Sequence, residues 1–149
     1  MLMVISFRQA MVSDIDDLVL MDKAIFAEFY NADNFKYEIS ENPFSRNILA
    51  YEDDQLIGYI FYWLTFEQGQ LIKIAVDEGY RQKGLGSQLM AMMIKDLQDN
   101  ECESISLEVR VSNIVGQKFY EKNDFLVLNI RKNYYSDNNE DALLMARGL

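Results

Sequence analysis

The chain has 149 residues, 50% hydrophobic and 26% charged, with a formal net charge of −10, one cysteine and no histidine. That length suits a single domain, residues 1–149, whose core needs no disulfide or metal staple, and the acidity argues against a nucleic-acid partner. The missing histidine excludes a Ser-His-Asp or Cys-His nucleophilic site and His-ligated zinc, so no metal is expected and any general base is Asp, Glu, Lys, Tyr or Cys.

Residues 3–8 read as a first strand; the apolar start is too short and lacks the basic leader of a signal peptide. No run approaches a membrane span, so no membrane partner is expected. Ser13 with Asp16 resembles a helix-capping pair, and Ile15, Leu18, Val19, Asp22, Ile25 and Phe26 carry a helical spacing to about Ala27. Residues 28–42 are less regular and rich in aromatics, and Pro43, the only proline, closes them. A strand over 47–51, an acidic turn and the apolar run 56–66 have the form of a hairpin. After a turn at 67–69, residues 71–76 are apolar enough for a central strand.

The loop 77–83 leads into a helix over 84–100, where Leu85, Leu89, Met93 and Leu97 repeat every four positions. The lone Cys102 fits a reducing, cytoplasmic setting and reads as a small packing residue. Residues 105–109 alternate as a strand. A short helix over 114–123 and two closing strands, 127–131 and 142–146, around the polar loop 133–140 complete the chain. The order β-α-α-β-β-β-α-β-α-β-β predicts a mixed α/β sheet domain. No long apolar surface stripe is left over, so a monomer is expected.

The segment Arg81-Gln82-Lys83-Gly84-Leu85-Gly86, followed by Ser87, combines a delivering strand, two glycines and a helix start. Free N–H groups and the positive end of a helix dipole favour an anion there, and Arg81 and Lys83 add positive charge. A Walker loop fails, because Gly79 and Gly84 are followed by Leu85-Gly86 rather than Lys-Ser or Lys-Thr. A dinucleotide fingerprint beginning at Gly84 fails at Leu89, where a third glycine is required. What remains is Arg-x-x-Gly-x-Gly, which resembles the pyrophosphate loop of the GNAT superfamily of N-acetyltransferases.

The resemblance extends over Ile74-Ala75-Val76, then Leu107-Glu108-Val109-Arg110-Val111-Ser112-Asn113, Phe119-Tyr120-Glu121-Lys122 and Phe125. It continues through Arg131-Lys132-Asn133-Tyr134-Tyr135 to Met145, and in this half the chain resembles the RimI-type enzymes, which acetylate the N-terminal alanine of a small-subunit ribosomal protein. It implies a GNAT fold (α/β, or α+β), a mixed and mostly antiparallel sheet of about seven strands flanked by about four helices. It also implies acetyl-CoA as cosubstrate, gripped by residues 81–87, with Ile74, Ala75 and Val76 along the pantetheine arm and Asn113 near the reacting end.

On the same resemblance Glu108 is the general base and also touches the acceptor, while Tyr120 touches the coenzyme and is the general acid for the departing thiolate. An α-amino group, with a pKa of about 8, needs only mild base assistance, and a neutral tyrosine can supply a proton. Tyr134 and Tyr135 are expected to cover the peptide groove, with residues 27–35, including Phe29 and Tyr30, as a helical opposite wall. Gly116 stands where the family has alanine, and a helical glycine costs about 1 kcal/mol relative to alanine. Residues Asn123-Asp124 replace the usual glycine, so the helix is expected to end there in a left-handed turn.

The acidic balance suits a basic partner, such as a basic ribosomal protein, by long-range attraction, or serves only solubility. Other amines (a polyamine, an aminoglycoside, a lysine) and a non-catalytic acetyl-CoA-binding module remain as alternatives.

Overall fold

The computed structural model describes residues 4–149. The chain forms β1 (Ile5–Arg8), α1 (Ile15–Ile25), α2 (Ala32–Lys36), β2 (Ser45–Glu52), β3 (Gln55–Thr65), β4 (Gln68–Val76), α3 (Leu85–Asp99), β5 (Ser104–Arg110), α4 (Ile114–Lys122), β6 (Leu126–Arg131) and β7 (Ala142–Gly148). Met3, expected in the first strand, lies outside the described residues.

The strands make one seven-stranded sheet in the order β1-β2-β3-β4-β5-β7-β6. Every pairing is antiparallel except β4 with β5. One face carries α3 and α4 over a core that includes Leu85, Leu89, Met93, Leu97, Leu107 and Phe125. The other carries α1 and α2, with Leu18, Phe35, Tyr59 and Phe61 at its centre. Burying such side chains contributes about 1.5–3 kcal/mol each before entropy is subtracted. Cys102 is buried, its thiol pushed up first by that burial, which suits a packing residue.

Three local expectations change. Ser13 lies in a tight turn, Val12–Asp14, and α1 has no side-chain cap: Asp14 precedes it, but its Oδ2 accepts the Met11 N–H at 2.7 Å and its carboxylate pairs with Arg8. The wall expected to be helical over 27–35 is helical only from Ala32, where the Asn31 side chain accepts the Asn34 N–H. The turn expected at 67–69 shortens because Gln68 and Gly69 already pair in β4, and a β-carbon on Gly69 would stand 2.6 Å from Leu97 Cδ1.

A β-bulge at Ile72 governs the site. Phe61 pairs with Lys73 and Tyr62 with Leu71, leaving Ile72 as an extra residue in β4. The bulge breaks the alternation, so Leu71 packs on the α3 face while Ile72 packs toward α1 and Lys73 reaches Asp22 of α1.

The premise of the expected monomer needs correcting, because an apolar stripe is present. The edge strand β6 exposes Leu126, Val127, Leu128 and Ile130, with Val115 of α4 exposed as well.

Candidate active site

The loop singled out in the sequence opens α3. Gly84 is the residue before the helix and takes φ 84°, the left-handed region where a side chain is strained. The first helical bond runs from the Gln88 N–H to the Gly84 carbonyl at 3.0 Å. Among the described residues the N–H groups of 82–87 find no backbone or side-chain acceptor, so a run of donors meets the positive end of the α3 dipole. Lys83 Nζ lies 5.6 Å from the Tyr80 ring centre, and Arg81 Nε donates to the Val76 carbonyl at 3.1 Å, tying the loop to the end of β4.

The two glycines are not equally constrained. At Gly84 a β-carbon would meet nothing within 4 Å, so backbone conformation alone selects glycine. At Gly86 a β-carbon would sit at ordinary contact distance from Phe119 Cε1, 3.4 Å, so neither space nor backbone conformation demands glycine there. Leu85 is buried in the core, and the Ala75 side chain packs toward α1, so both can serve a ligand only through their backbone.

Strands β4 and β5 pair only at Gln68, Gly69 and Gln70 with Ser104, Ile105 and Ser106. Beyond that, β4 pairs only with β3 and β5 only with β7, so the facing edges of Ile74 and Val76 on one side and Glu108 on the other bond to no strand between them. This opening adjoins the loop, since β4 runs directly into it. Unpaired strand edges can accept an extended amide-bearing chain.

On β5, Glu108 alternates with buried Leu107 and Val109, and its side chain is only 15% exposed. Arg131 Nε stands 3.3 Å from Glu108 Oε1. Tyr120 lies on α4, its ring edge-on to Phe119 at 5.6 Å and to Phe125 at 6.0 Å. Burial, and then the nearby Tyr135, push its hydroxyl up to about 12. The Asn113 side chain caps α4, Oδ1 accepting the Gly116 N–H at 2.9 Å. A β-carbon on Gly116 would stand 2.5 Å from Asn113 Nδ2, so this glycine makes room for the cap. The helix ends as expected, with Asp124 left-handed at φ 70°.

Of the aromatic residues assigned to the acceptor, Tyr134 and Tyr135 lie within electrostatic reach of Glu108. Tyr134 and Tyr135 stand edge to face at 5.1 Å. Burial raises both, Tyr135 to about 12, and both also feel the Glu108 charge. Tyr30, in the connection between α1 and α2, is pushed up to about 12 by burial first, then by Glu38, Asp22 and Tyr134. Tyr30 rests edge-on against buried Phe35 at 5.4 Å, whereas Phe29 is exposed near Lys23.

Two residues of this wall escaped the sequence reading. Fully buried Asp22 accepts from the Lys73 Nζ at 2.8 Å, from the Tyr30 N–H at 2.7 Å and from the Tyr59 hydroxyl. Lys73 Nζ also lies 4.1 Å and 4.2 Å from the Phe26 and Tyr30 ring centres. Burial lowers the Lys73 pKa and the Asp22 contacts oppose that shift. Together they pin the connection that carries Phe29 and Tyr30. The available signals were an aspartate on the apolar stripe of α1 and a lysine inside the apolar run of β4.

A cleft of about 810 Å³ lies elsewhere, between α1, the β2–β3 turn and the β4–α3 connection. It touches the loop only at Arg81, and Asp17, Glu52, Asp53, Asp54, Asp77 and Glu78 line it, a set of carboxylates that repels phosphate. Among the described residues no group of three or more acidic or cysteine side chains can hold a metal, and no helix is long and apolar enough to cross a membrane.

Residues 15–125 match the Acetyltransferase (GNAT) family. A Bacillus subtilis protein provisionally named a ribosomal protein bS18-alanine N-acetyltransferase is 35% identical over 93% of this chain and 91% of its own length. An N-alpha-acetyltransferase of Saccharolobus solfataricus is 32% identical over 97% of this chain and 93% of its own. Among solved structures, Ard1 of Thermoplasma volcanium superposes with a TM-score of 0.89 at 26% identity, covering 97% of each chain. The fold, the glycine loop at the start of α3 and these matches agree: the chain belongs to the GNAT acetyltransferase family.

Proposed function

We propose that this chain transfers the acetyl group of acetyl-CoA to the free α-amine of a protein N-terminus, with an N-terminal alanine of a basic ribosomal protein as the first target to test. The observation that carries the reading is the meeting of two features. The run of free N–H groups at 82–87 fits a pyrophosphate, and the splayed β4–β5 edges lead from it to Glu108 and the tyrosines. The Saccharolobus relative is named an N-alpha-acetyltransferase and the Bacillus one an alanine N-acetyltransferase, which supports the choice of acceptor.

Acetyl-CoA supplies the acyl group as a thioester. Residues 82–87, with Arg81 and Lys83, would hold its phosphates, and the β4 backbone at Ile74, Ala75 and Val76 its amide-bearing arm. Asn113 would approach the reacting end through its Nδ2 group, since Oδ1 caps α4. The Glu108 carboxylate accepts a proton from the acceptor ammonium, directly or through one water, so that the amine can attack. Tyr120, half-buried and protonated at neutral pH, keeps a proton for the departing sulfur. Phe29, Tyr30, Tyr134 and Tyr135 exclude water and line the path of the acceptor.

The test mixes the protein with labelled acetyl-CoA and peptides whose N-termini are free or blocked. Label on free alanine N-termini alone is the expected result. Label on internal lysines of blocked peptides, or on polyamines in preference to peptides, would refute the choice of acceptor.

A further inference from the structure

Arg110, at the end of β5, is two residues from Glu108 and makes contacts that the transfer reaction itself does not require. Its guanidinium grips Asp137 with both nitrogens, Nη1 to Oδ1 at 3.1 Å and Nη2 to Oδ2 at 3.0 Å. Nη1 also donates to Glu140 Oε1 at 3.2 Å and to Asn138 Oδ1 at 3.3 Å, and Nη2 lies 3.8 Å from Glu28 Oε2. The flat of the guanidinium lies over the Tyr135 ring at 3.9 Å.

These partners come from both walls of the groove. Glu28 belongs to the connection that carries Phe29 and Tyr30, and Asp137 and Glu140 to the β6–β7 loop that carries Tyr134 and Tyr135. The walls also touch directly, since the Asp137 N–H donates to Glu28 Oε1 at 3.1 Å. Glu140 in turn accepts the Ser112 N–H at 2.8 Å, so the loop is tied to the chain just after β5.

We propose that Arg110 is a positioning residue that clasps the two walls of the acceptor groove to the catalytic strand and so sets the groove's width. This rests on the acceptor reading above. An isolated exposed ion pair contributes little. Here one guanidinium holds three carboxylates, Glu28, Asp137 and Glu140, that would otherwise repel one another across the groove. Its forked, planar donors match that arrangement and its face matches Tyr135, a combination that a lysine lacks.

The test compares wild type with R110Q, R110K, E28A and D137A. Amide hydrogen exchange without any substrate is expected to speed up in both 26–31 and 133–141 in R110Q, and less in R110K. In steady state, R110Q should raise KM for an acceptor peptide by about tenfold or more, as expected when repulsion replaces a charge-assisted fork. KM for acetyl-CoA should stay within about twofold, with kcat falling less than the acceptor KM rises. Should R110Q not fold, E28A removes the Glu28 contacts with Arg110 and the Asp137 N–H, D137A removes the fork, and each, at an exposed position, should loosen the same two segments.

Unchanged exchange in those segments, or loosened segments with an unchanged acceptor KM, would overturn the clasp. A wild type that acetylates no peptide would refute the acceptor reading instead, while the exchange comparison still decides the contact.

Discussion

Arg131 and Glu108 form an ion pair that spans a strand. Glu108 pairs with Leu144 and Arg131 with Ala142, so the 3.3 Å contact crosses β7 on the diagonal. Nothing in the sequence marks this tether, which holds the Glu108 carboxylate against Arg131 across β7.

Arg131 is half exposed, and such pairs contribute about 1 kcal/mol or less. Arg131→Gln is therefore expected to lower kcat by less than about tenfold, because the carboxylate loses an orienting contact and keeps its chemistry. Steady-state kinetics on an acceptor peptide measure this, and a loss as large as that of Glu108→Gln would show that Arg131 takes part more directly.

Tyr120 carries its proton up to about 12, because burial disfavours the phenolate. The sign is that of a group whose charged form is penalised, so the donor form persists through neutral and mildly alkaline pH. The kcat profile should show no fall from Tyr120 up to about pH 10, roughly where an ordinary tyrosine would begin to lose its proton. A descending limb below pH 9 in wild type that is absent in Tyr120→Phe would contradict the assignment.

Gly84 should tolerate asparagine better than alanine. Its left-handed backbone costs an alanine about 1–2 kcal/mol, and no neighbour obstructs a β-carbon. Gly84→Ala is expected to lower the melting temperature and to raise KM for acetyl-CoA, with Gly84→Asn milder in both. Gly86→Ala sits at ordinary contact distance from Phe119, so thermal unfolding should move less than for Gly84→Ala.

Removing Asp22 should be the most damaging change in the wall, because Lys73, the Tyr59 hydroxyl and the Tyr30 N–H would lose their acceptor together. Breaking a buried pair from one side costs about 3–5 kcal/mol. Asp22→Ala is expected near that cost by denaturant unfolding. Lys73→Met should cost less, since Asp22 keeps its other two donors and the methionine can lie between the Phe26 and Tyr30 rings. Equal costs for the two variants would show that the ion pair dominates over those hydrogen bonds.

Much of this arrangement can be read from residue order. The order of elements, the four-residue repeat of α3, the alternation in β5 and the glycine pair predict the sheet, the helix and the turn that opens it. Single-strand periodicity cannot reveal the extra residue at Ile72, because a bulge exists only relative to the strand it pairs with, and without it Lys73 reads as an ordinary member of an apolar run. The hydrogen-bond partners of Arg110 lie 27, 28 and 30 residues along the chain in an irregular loop, and Glu28 lies far upstream, so nothing local marks them. Gly116 reads as a weak helix position until Asn113 is seen to occupy the space its missing side chain leaves.

The most direct test of the proposed chemistry is kcat for Glu108→Gln and Tyr120→Phe with a free-alanine peptide and saturating acetyl-CoA. Loss of a general base or acid should lower kcat by about 10²–10⁴-fold in each, with KM for acetyl-CoA nearly unchanged. Full activity retained in both variants would contradict the account.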